Sequence, residues 1–407
     1  MNCRFCHSAL TNSVVSLGNF PLANTFLDED ELSRTEHFYP LDLYLCDKCY
    51  LVQLPEYEKP EKIFTIYPYF SSYSSSWLKH SENYVNNMVE RFGLDKQSFV
   101  TEVASNDGYL LQYFIRKGIS VLGVEPAENI AKVARKKGVP TEVAFFGTGV
   151  AGRLVAEGRI ADLIIANNVL AHVPEINDFI AGLKIMLAPD GVITLEFPHL
   201  MTLIQDVQFD PIYHEHFSYF SFLTVEKVFD AHGLTLFDVE ELPTHGGSLR
   251  IYAGHKEGKT KDISQRVFEL RQKEEKAGYT KIDFCLSFEE KVKAVKRNIL
   301  AFLIQAKEEG KNIAGYGAPA KGNTLLNYCG IKTDFIDYTV DRNPYKQGCY
   351  LPGSRIPIYH PDKIKETKPD YVLILPWNIK NEIMEQMSFI RQWGGKFVIP
   401  IPKVNVL

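Results

Sequence analysis

The sequence lacks any apolar run long enough to span a bilayer, and its first residues, Met1–Cys6, show no signal-peptide pattern. Its 407 residues carry a net charge of -5, which gives no reason to expect nucleic acid as a partner. Cysteine is scarce, with seven in the chain, as is typical of a reducing compartment. We therefore expect a cytoplasmic protein of two or three domains, without a membrane or nucleic-acid partner, that is a monomer or a weak dimer.

Four of the seven cysteines form two CxxC pairs, Cys3 with Cys6 and Cys46 with Cys49. Two residues between cysteines let a tight turn direct both sulfurs at one ion, and two such turns complete a tetrahedral thiolate site. The pattern predicts a structural zinc ion, with His7 as an alternative ligand. Two disulfides or free thiols are the other interpretations. Because four ligands leave no open position, the metal should stabilise a small domain and not catalyse a reaction.

The segment 67–77, YPYFSSYSSSW, is rich in tyrosine and serine. This composition suits a surface that binds a polar, hydroxylated ligand, and it suits an ordinary contact between domains equally well. Apolar residues at helical spacing predict a helix that begins at His80 and continues through Met88.

The stretch 98–124 predicts a strand, a tight loop, a helix and a second strand, as in nucleotide-binding folds. The loop Ser105–Gly108 has one glycine and an aspartate, whereas a dinucleotide fold needs G-x-G-x-x-G to approach a pyrophosphate. An acidic loop suits a cofactor with an amino group and a sulfonium but no phosphate, which describes S-adenosylmethionine. Glu125, at the tip of the second strand, can accept hydrogen bonds from a ribose diol.

Further motifs follow in the order of a class I methyltransferase. A buried-type strand over 161–168 is followed by a turn at 187–191, which leads into a strand over 192–198. Each motif is weak alone, but the ordered set predicts a Rossmann-like domain that binds S-adenosylmethionine. The residues that we expect to contact the cofactor are Glu102, Ala104, Asn106, Gly108, Glu125, Pro126, Asn167 and Asn168.

A second nucleotide-binding unit begins near residue 312. Gly315–Gly322 fits G-x-G-x-x-A after a short strand, and Asp341 follows the next strand. Alone, this would indicate an NAD site; beside the middle domain, it suggests a second Rossmann-like unit that holds a nucleotide diphosphate. The glycines could equally only shape the turn. Together with the segment 245–250, the expected substrate contacts are His245, Ser248, Arg250, Tyr316, Ala318, Lys321, Asn323, Asp341 and Arg342.

The densest group of titratable side chains is Asp210–Tyr219, which contains two imidazoles, two carboxylates and two phenols. Such a set is typical of proton transfer, although a structural histidine in a core is the alternative interpretation. In a strand, His214 and Glu215 would point to opposite faces.

These motifs together resemble those of the three-domain sugar C-methyltransferases, which act on C-3 of nucleotide-activated deoxysugars. The resemblance rests on the double CxxC, the loop Glu102–Gly108, Tyr213–His216 and His245–Arg250, and it covers nearly the whole chain. It implies an α/β chain with a small zinc-binding domain (1–80), a central class I methyltransferase Rossmann-like domain (81–255), a helical connector (256–310) and a second Rossmann-like domain (311–407). The last of these would bind the sugar nucleotide.

The resemblance also implies residue roles. His216 would be the general base, Glu215 its hydrogen-bonding neighbour and Tyr213 a sugar contact, while His172 and Tyr73 would line the pocket. The chemistry agrees, because methylation of carbon needs a carbanion equivalent and a 4-keto group acidifies the hydrogen at C-3. An imidazole suits this task since its pKa lies near neutrality. His214 is the rival base.

Other functions are compatible with parts of the pattern. A methyltransferase acting on a sugar oxygen or nitrogen would need a base but no ketone. An NAD-dependent enzyme would use the C-terminal glycine-rich loop. A zinc-ribbon protein that binds nucleic acid would need a basic surface, which a sequence pI of about 6.2 makes a poor fit.

Overall fold

The computed structural model describes residues 1–65, 70–258 and 261–407. Tyr67, Pro68 and Tyr69, which belong to the predicted tyrosine- and serine-rich surface, lie outside the described residues. The described chain is an α/β structure with sheets of four, seven and six strands. The predicted fold class, a zinc-binding domain followed by two Rossmann-like domains, is confirmed.

The four-stranded sheet is antiparallel and belongs mainly to the N-terminal domain. This domain contains β1 (Asn12–Phe20), β2 (Tyr39–Leu45), β3 (Val52–Gln53) and α1 (Pro60–Phe64). Alternate residues of β2 are buried, as expected when one face of a strand covers a core: Leu41, Leu43 and Leu45. The fourth strand comes from the segment 218–219, far along the chain, and pairs with β3.

The elements of the middle domain are α2 (Ser75–Phe92), β4 (Phe99–Val103), α3 (Leu111–Arg116), β5 (Ser120–Val124), α4 (Glu128–Lys136), β6 (Thr141–Glu142), α5 (Thr148–Ala156), β7 (Ala161–Asn167), α6 (Ile176–Met186), β8 (Leu187–Pro198), α7 (Leu200–Gln205), β9 (Ser218–Tyr219), α8 (Phe222–Ala231), β10 (Leu234–Leu242) and β11 (Ser248–His255). The seven-stranded sheet has the order β10-β11-β8-β7-β4-β5-β6. Its pairs are parallel except those of β11, which runs antiparallel to β8 and β10. The carboxyl ends of β4, β5 and β7 therefore share one edge.

Two sequence-based boundaries differ from the structure. Helix α2 begins at Ser75 and not at His80, because the Ser74 hydroxyl accepts a hydrogen bond from the Trp77 N–H at 3.2 Å and caps the helix. The expected domain boundary after residue 80 therefore falls inside α2. The turn predicted at 187–191 is wrong as well, since β8 already starts at Leu187, which pairs with Ala161 of β7.

The remaining elements are α9 (Gln265–Lys276), α10 (Phe288–Glu308), β12 (Ile313–Tyr316), α11 (Ala320–Cys329), β13 (Thr339–Val340), β14 (Ile358–Tyr359), α12 (Lys363–Thr367), β15 (Tyr371–Ile374), α13 (Lys380–Gln386), β16 (Lys396–Ile399) and β17 (Asn405–Val406). The six-stranded sheet has the order β14-β13-β12-β15-β16-β17, and only its β16–β17 pair is antiparallel. The carboxyl ends of its parallel strands form a second edge where polar loops gather.

Helix α10 connects the domains through its apolar face. Its buried residues, which include Val292, Ile299 and Leu303, belong to one hydrophobic cluster with the N-terminal sheet and the C-terminal domain. The first and last domains therefore share a core across the middle of the molecule. No helix among the described residues combines the length and the apolar character that crossing a membrane requires.

Candidate active site

The four thiols predicted to bind zinc lie together in the N-terminal domain. Their sulfur atoms are within 4.8 Å of one another, and the Cys3–Cys49 and Cys6–Cys46 Sγ pairs are each 3.5 Å apart. Thiolates at a Zn–S distance of about 2.3 Å form a tetrahedron with sulfurs about 3.8 Å apart, so this donor set fits zinc. Among the described residues, the metal-ligand cluster does not include His7. The zinc ion is thus structural, as predicted.

The segment Tyr213–His216 forms a turn. The His216 N–H donates to the Tyr213 carbonyl at 2.9 Å, a bond that a strand could not close, so the strand geometry considered for this segment is wrong. The turn directs His214 toward the N-terminal domain, where its Nε2 lies 3.0 Å from the Pro40 carbonyl oxygen. Tyr213 and His216 remain partly exposed. The two candidate bases therefore face different parts of the molecule.

Both ring nitrogens of His216 are hydrogen bonded. Nδ1 lies 2.8 Å from the Pro211 carbonyl oxygen, which can only accept, so Nδ1 carries the proton. Nε2 then has the lone pair and accepts from the Tyr213 hydroxyl at 2.8 Å. His172 is held in the same way, with Nδ1 donating to the Glu215 carbonyl oxygen at 2.8 Å. Its ring centroid is 4.6 Å from that of His216.

Both of these imidazoles are held in the neutral form. Burial lowers the pKa of His172 to about 4. Burial also lowers the pKa of His216 well below its usual value, and the neighbouring His172, His245 and Lys321 lower it further. Since a neutral imidazole is the form that accepts a proton, the site contains a base that is ready at neutral pH.

Glu215 faces the N-terminal domain. Its carboxylate oxygens accept hydrogen bonds from Asn24 Nδ2 at 2.7 and 2.9 Å, across 191 positions of sequence. The Lys346 ammonium donates to the Ala318 carbonyl at 2.8 Å. Burial lowers the pKa of Lys346, while the charges of Asp341 and Glu215 act in the opposite direction. Sequence reasoning missed both Asn24 and Lys346. No motif marks them, although Asp341, five residues before Lys346, was an expected substrate contact at that edge of the sheet.

The predicted cofactor loop follows β4. Ala104, Asn106 and Gly108 have left-handed backbone conformations, with φ of 52°, 49° and 75°. At the end of β5, the Glu125 carboxylate accepts hydrogen bonds from the Asn106 and Ala127 N–H groups, both at 2.9 Å. Burial raises the pKa of Glu125 to about 7, against the effect of these bonds. The two strand ends and the loop are thus tied together around one carboxylate.

Buried acceptors without a partner mark the same edge of the sheet. Within the described ranges, Asp107 Oδ1, Asn167 Oδ1 and Asn168 Oδ1 have no hydrogen-bond partner. Such atoms are rare, and three acceptors suit a cationic, amino-bearing ligand. Glu102 is buried beside them, and burial raises its pKa well above the usual value, while Pro126 is partly exposed. This set of hydrogen-bond acceptors therefore fits S-adenosylmethionine.

Tyr73 lies between the cofactor loop and the C-terminal domain. It belongs to the single turn Ser71–Tyr73 and is 50% exposed. The Ser71 N–H donates to Asn106 Oδ1 at 2.9 Å. The neighbouring Phe70 stacks on Tyr345, with ring centroids 5.3 Å apart. Tyr73 is thus placed at the rim of the region where the three domains meet.

The expected substrate residues Ser248 and Arg250 are engaged inside the middle domain. Arg250 is 5% exposed and forms ion pairs with Glu196 at 3.0 Å and with Glu240 at 3.1 Å. The Ser248 hydroxyl donates to the Thr244 carbonyl at 3.0 Å. The guanidinium group that the sequence suggested for a phosphate therefore already has two carboxylate partners.

The glycine-rich loop of the C-terminal domain is closed by Asp341, whose carboxylate accepts from the Ala318 N–H at 2.7 Å. Asp341 thus shapes the loop in which the sequence suggested ribose binding. Tyr316 and Arg342, at the ends of neighbouring strands, both donate to Gln386 Oε1, at 3.4 and 3.5 Å. Arg342 is exposed and so remains accessible to a ligand.

The other expected substrate residues lie nearer the Tyr213–His216 turn. His245 has a left-handed backbone, with φ of 54°, and its ring meets that of Trp77 edge-on at 5.3 Å. Asn323 donates to the Ala23 carbonyl at 2.6 Å and so joins the N- and C-terminal domains. Lys321 is partly buried and its ammonium lies over an aromatic ring of its own domain.

This geometry defines a class of protein. A seven-stranded Rossmann-like sheet carries an acidic loop that suits a cofactor without phosphate, and a four-cysteine zinc domain packs beside it. The protein is a zinc-binding, S-adenosylmethionine-dependent methyltransferase.

Comparison with known proteins gives the family. Three family models match in succession: a zinc binding domain over 3–64, a methyltransferase domain over 77–239 and a C-methyltransferase C-terminal domain over 243–402. The chain is 36% identical over 405 residues to C-methyltransferase NovU of Streptomyces niveus. The alignment covers 100% of this chain and 96% of that relative. It therefore belongs to the C-methyltransferase family of that relative. A ubiquinone biosynthesis O-methyltransferase of Bartonella quintana (strain Toulouse) is 29% identical over 94 residues, 23% of this chain and 38% of that one.

Two solved structures match the chain over less than half its length. The PH0226 protein from Pyrococcus horikoshii OT3 is 17% identical with a TM-score of 0.38, covering 47% of this chain and 97% of that chain. Magnesium protoporphyrin IX methyltransferase (ChlM) from Synechocystis PCC 6803 with bound SAH is 17% identical with a TM-score of 0.35, covering 43% and 82%.

Proposed function

We propose that this C-methyltransferase acts on C-3 of a 4-keto-deoxysugar linked to a nucleoside diphosphate, with His216 as the base. The observation that carries the proposal is the neutral, partly exposed His216, with its Nε2 lone pair directed at the Tyr213 hydroxyl. A ketone at C-4 makes the C-3 hydrogen acidic, so that one imidazole can form the enolate. Such a base contributes about 10²–10⁴-fold to the rate.

The neighbouring residues prepare this base. The Pro211 carbonyl fixes the tautomer by accepting from Nδ1, which leaves Nε2 to take the C-3 proton. The Tyr213 hydroxyl, now bonded to Nε2, would turn to a sugar hydroxyl when the substrate enters. His172 stays neutral beside His216, so it offers no second proton that would compete.

The methyl donor would be held at the edge formed by β4, β5 and β7. Glu125 would accept hydrogen bonds from ribose hydroxyls, while Asp107 and Asn167 would accept from the amino group. When bound, S-adenosylmethionine supplies an electrophilic methyl group on its sulfonium centre. Phe70 and Ser71, which bridge the cofactor loop and the C-terminal domain, would exclude water from the reacting atoms.

The nucleotide part of the proposal rests on the resemblance of the sequence motifs and on the C-terminal sheet. The N-terminus of α11 follows the loop after β12 at the carboxyl edge of a parallel sheet, where phosphates commonly bind. Arg342 at the same edge is exposed and would meet the diphosphate.

The test is the position of the transferred methyl group. Purified protein is incubated with methyl-¹³C S-adenosylmethionine and a nucleotide-linked 4-keto-6-deoxysugar, and the product is examined by NMR. We expect a methyl group on a carbon that has lost its hydrogen, next to the ketone. A methyl group on oxygen or nitrogen would replace this proposal with O- or N-methylation of a sugar nucleotide.

A further inference from the structure

Lys321 occupies an unexpected position for a phosphate ligand. It lies in the first turn of α11, just after the glycine-rich loop, where the sequence suggested contact with a diphosphate. Its ammonium instead donates to Asn378 Oδ1 and lies 4.5 Å from the ring centroid of Trp377. The side chain is partly buried, whereas the neighbouring Arg342 is exposed at the same edge.

Two contacts connect the surroundings of Lys321 to the Tyr213–His216 turn. The Thr324 hydroxyl donates to the Ile212 carbonyl at 3.1 Å, directly before Tyr213. Lys321 precedes Thr324 by one helical turn and therefore lies on the same face of α11. Through Trp377 there is a second connection, because its indole Nε1–H donates to Asp210 Oδ2 at 2.7 Å.

Lys321 lies near three titratable groups, Asp210, His216 and His245. Asp210 is fully buried, and within the described ranges its Oδ1 has no hydrogen-bond partner. Burial lowers the pKa of Lys321 to about 8, and Asp210 acts in the opposite direction. The Lys321 charge in turn lowers the pKa of both His216 and His245. The cation therefore lies within electrostatic reach of the proposed base, and the charge of Asp210 favours its protonated form.

We propose that Lys321 is a catalytic residue that donates a hydrogen bond to the ketone oxygen of the substrate and stabilises the enolate. When His216 takes the C-3 proton, the C–H electron pair forms the C-3–C-4 double bond. The carbonyl π pair moves onto oxygen, where the ammonium group faces it. Attack of C-3 on the sulfonium methyl group would then form the C–C bond and restore the ketone, while the electron pair of the broken S–CH3 bond stays on sulfur as the neutral thioether, and the hydrogen bond to Lys321 would weaken. This inference rests on the proposed function, and it leaves the diphosphate to Arg342 and the N-terminus of α11.

The experiment separates the two roles of Lys321. Lys321→Met and Lys321→Gln are compared with the wild type and with Lys332→Met, an exposed lysine of the same domain. The rate of C-3 deuterium uptake from D₂O is measured at saturating sugar nucleotide without S-adenosylmethionine, and the sugar-nucleotide Kd by calorimetry. S-adenosylhomocysteine binding reports on folding.

We expect both Lys321 variants to slow deuterium uptake by about 10²–10³-fold, as for loss of one oxyanion donor, with little change in Kd. Lys332→Met should behave as the wild type. Unchanged uptake at saturation together with a weakened Kd would overturn the inference and return Lys321 to phosphate binding. Absence of uptake in the wild type, with methylation at oxygen or nitrogen, would instead overturn the proposed function.

Discussion

At the residue scale, His214 and His216 are two positions apart and yet have different surroundings. His214 packs edge-on against the rings of Tyr39 and Tyr57, at 5.8 and 6.1 Å, and bonds a carbonyl of the N-terminal domain. His216, in contrast, packs against the imidazole of His172 and bonds Tyr213 of its own turn. Only His216 has a ring nitrogen with a lone pair directed at a partly exposed phenol.

This difference predicts the behaviour of a matched pair of variants. His216→Asn should lower methyl transfer by about 10²–10⁴-fold, because it removes the base, while S-adenosylhomocysteine binding is retained. His214→Asn should keep most of the activity, because its ring serves a packing role. Single-turnover transfer of labelled methyl measures both. Full activity in His216→Asn, or equal losses in the two variants, would refute the assignment.

The lowered pKa of His216 also predicts the pH dependence. Burial favours the neutral form of this imidazole, as do the neighbouring His172, His245 and Lys321, while its hydrogen bond to the Pro211 carbonyl favours the protonated form and only partly offsets them. The protonated imidazole, which cannot act as a base, should therefore accumulate only below the usual pKa of about 6.5. We expect kcat/KM to hold constant as the pH falls from 7 to 6.5 and to decline at lower pH. A decline centred near pH 7 would contradict a depressed pKa.

The sequence predicted His216 from local density of titratable groups and from family resemblance, but not its partners. The Pro211 carbonyl and the Tyr213 hydroxyl become its hydrogen-bond partners only because 213–216 is a turn. Glu215 was expected to be the hydrogen-bonding neighbour of His216, whereas its carboxylate accepts a hydrogen bond from Asn24 of another domain. Contacts across 191 positions depend on domain packing, which no local pattern encodes.

At the element scale, the start of α8 depends on a residue of the connector. Glu274 of α9 is fully buried and accepts hydrogen bonds from the Phe222 and Leu223 N–H groups at 2.7 and 2.9 Å. It also bonds His199 Nε2 at 2.6 Å. Since the first N–H groups of a helix have no intrahelical acceptor, this carboxylate caps α8 from outside.

Glu274→Ala should therefore destabilise the protein by about 3 kcal/mol, since each buried donor left without a partner costs about 1–3 kcal/mol. The exposed neighbour is the control, and Glu275→Ala should change stability little. Denaturant unfolding followed by fluorescence gives both values. Equal stabilities of the two variants would show that the carboxylate does not hold the helix.

The elements that contain a recognisable sequence motif were predicted well from the sequence. The two CxxC turns, the loop after β4 and the glycine-rich loop before α11 all lie where the motifs placed them. Gly108 has a second reason to be glycine, because a Cβ there would lie 2.7 Å from Val139 Cγ2. Strand β9 had no signal of its own, since its two residues form a strand only by pairing with β3.

At the scale of the whole molecule, the candidate site is assembled from all three domains. The middle domain supplies the Tyr213–His216 turn, the N-terminal domain supplies Asn24, and the C-terminal domain supplies Lys321 and Lys346. The pairing of Gln53 with Ser218 joins the zinc domain to the strand that follows the turn. A zinc ion bound by the four thiols would therefore support the geometry of the candidate site without touching it.

This connection predicts the effect of metal removal. Chelation of zinc, or Cys49→Ser, should unfold the N-terminal domain and abolish methyl transfer, because Glu215 and β9 lose their partners. Binding of S-adenosylhomocysteine should persist, since its loop belongs to the middle domain. Thermal melting and calorimetry measure the two effects. A zinc-free protein with full turnover would contradict the role given to this domain.

The central claim is that His216 forms an enolate at C-3 before methyl transfer, and solvent exchange tests it most directly. The sugar nucleotide is incubated with enzyme in D₂O without S-adenosylmethionine, and the C-3 hydrogen is followed by NMR. We expect the wild type to replace this hydrogen with deuterium and His216→Asn to leave it in place. Retention of the C-3 hydrogen by a wild-type enzyme that still methylates the same sugar, or full exchange by His216→Asn, would contradict it.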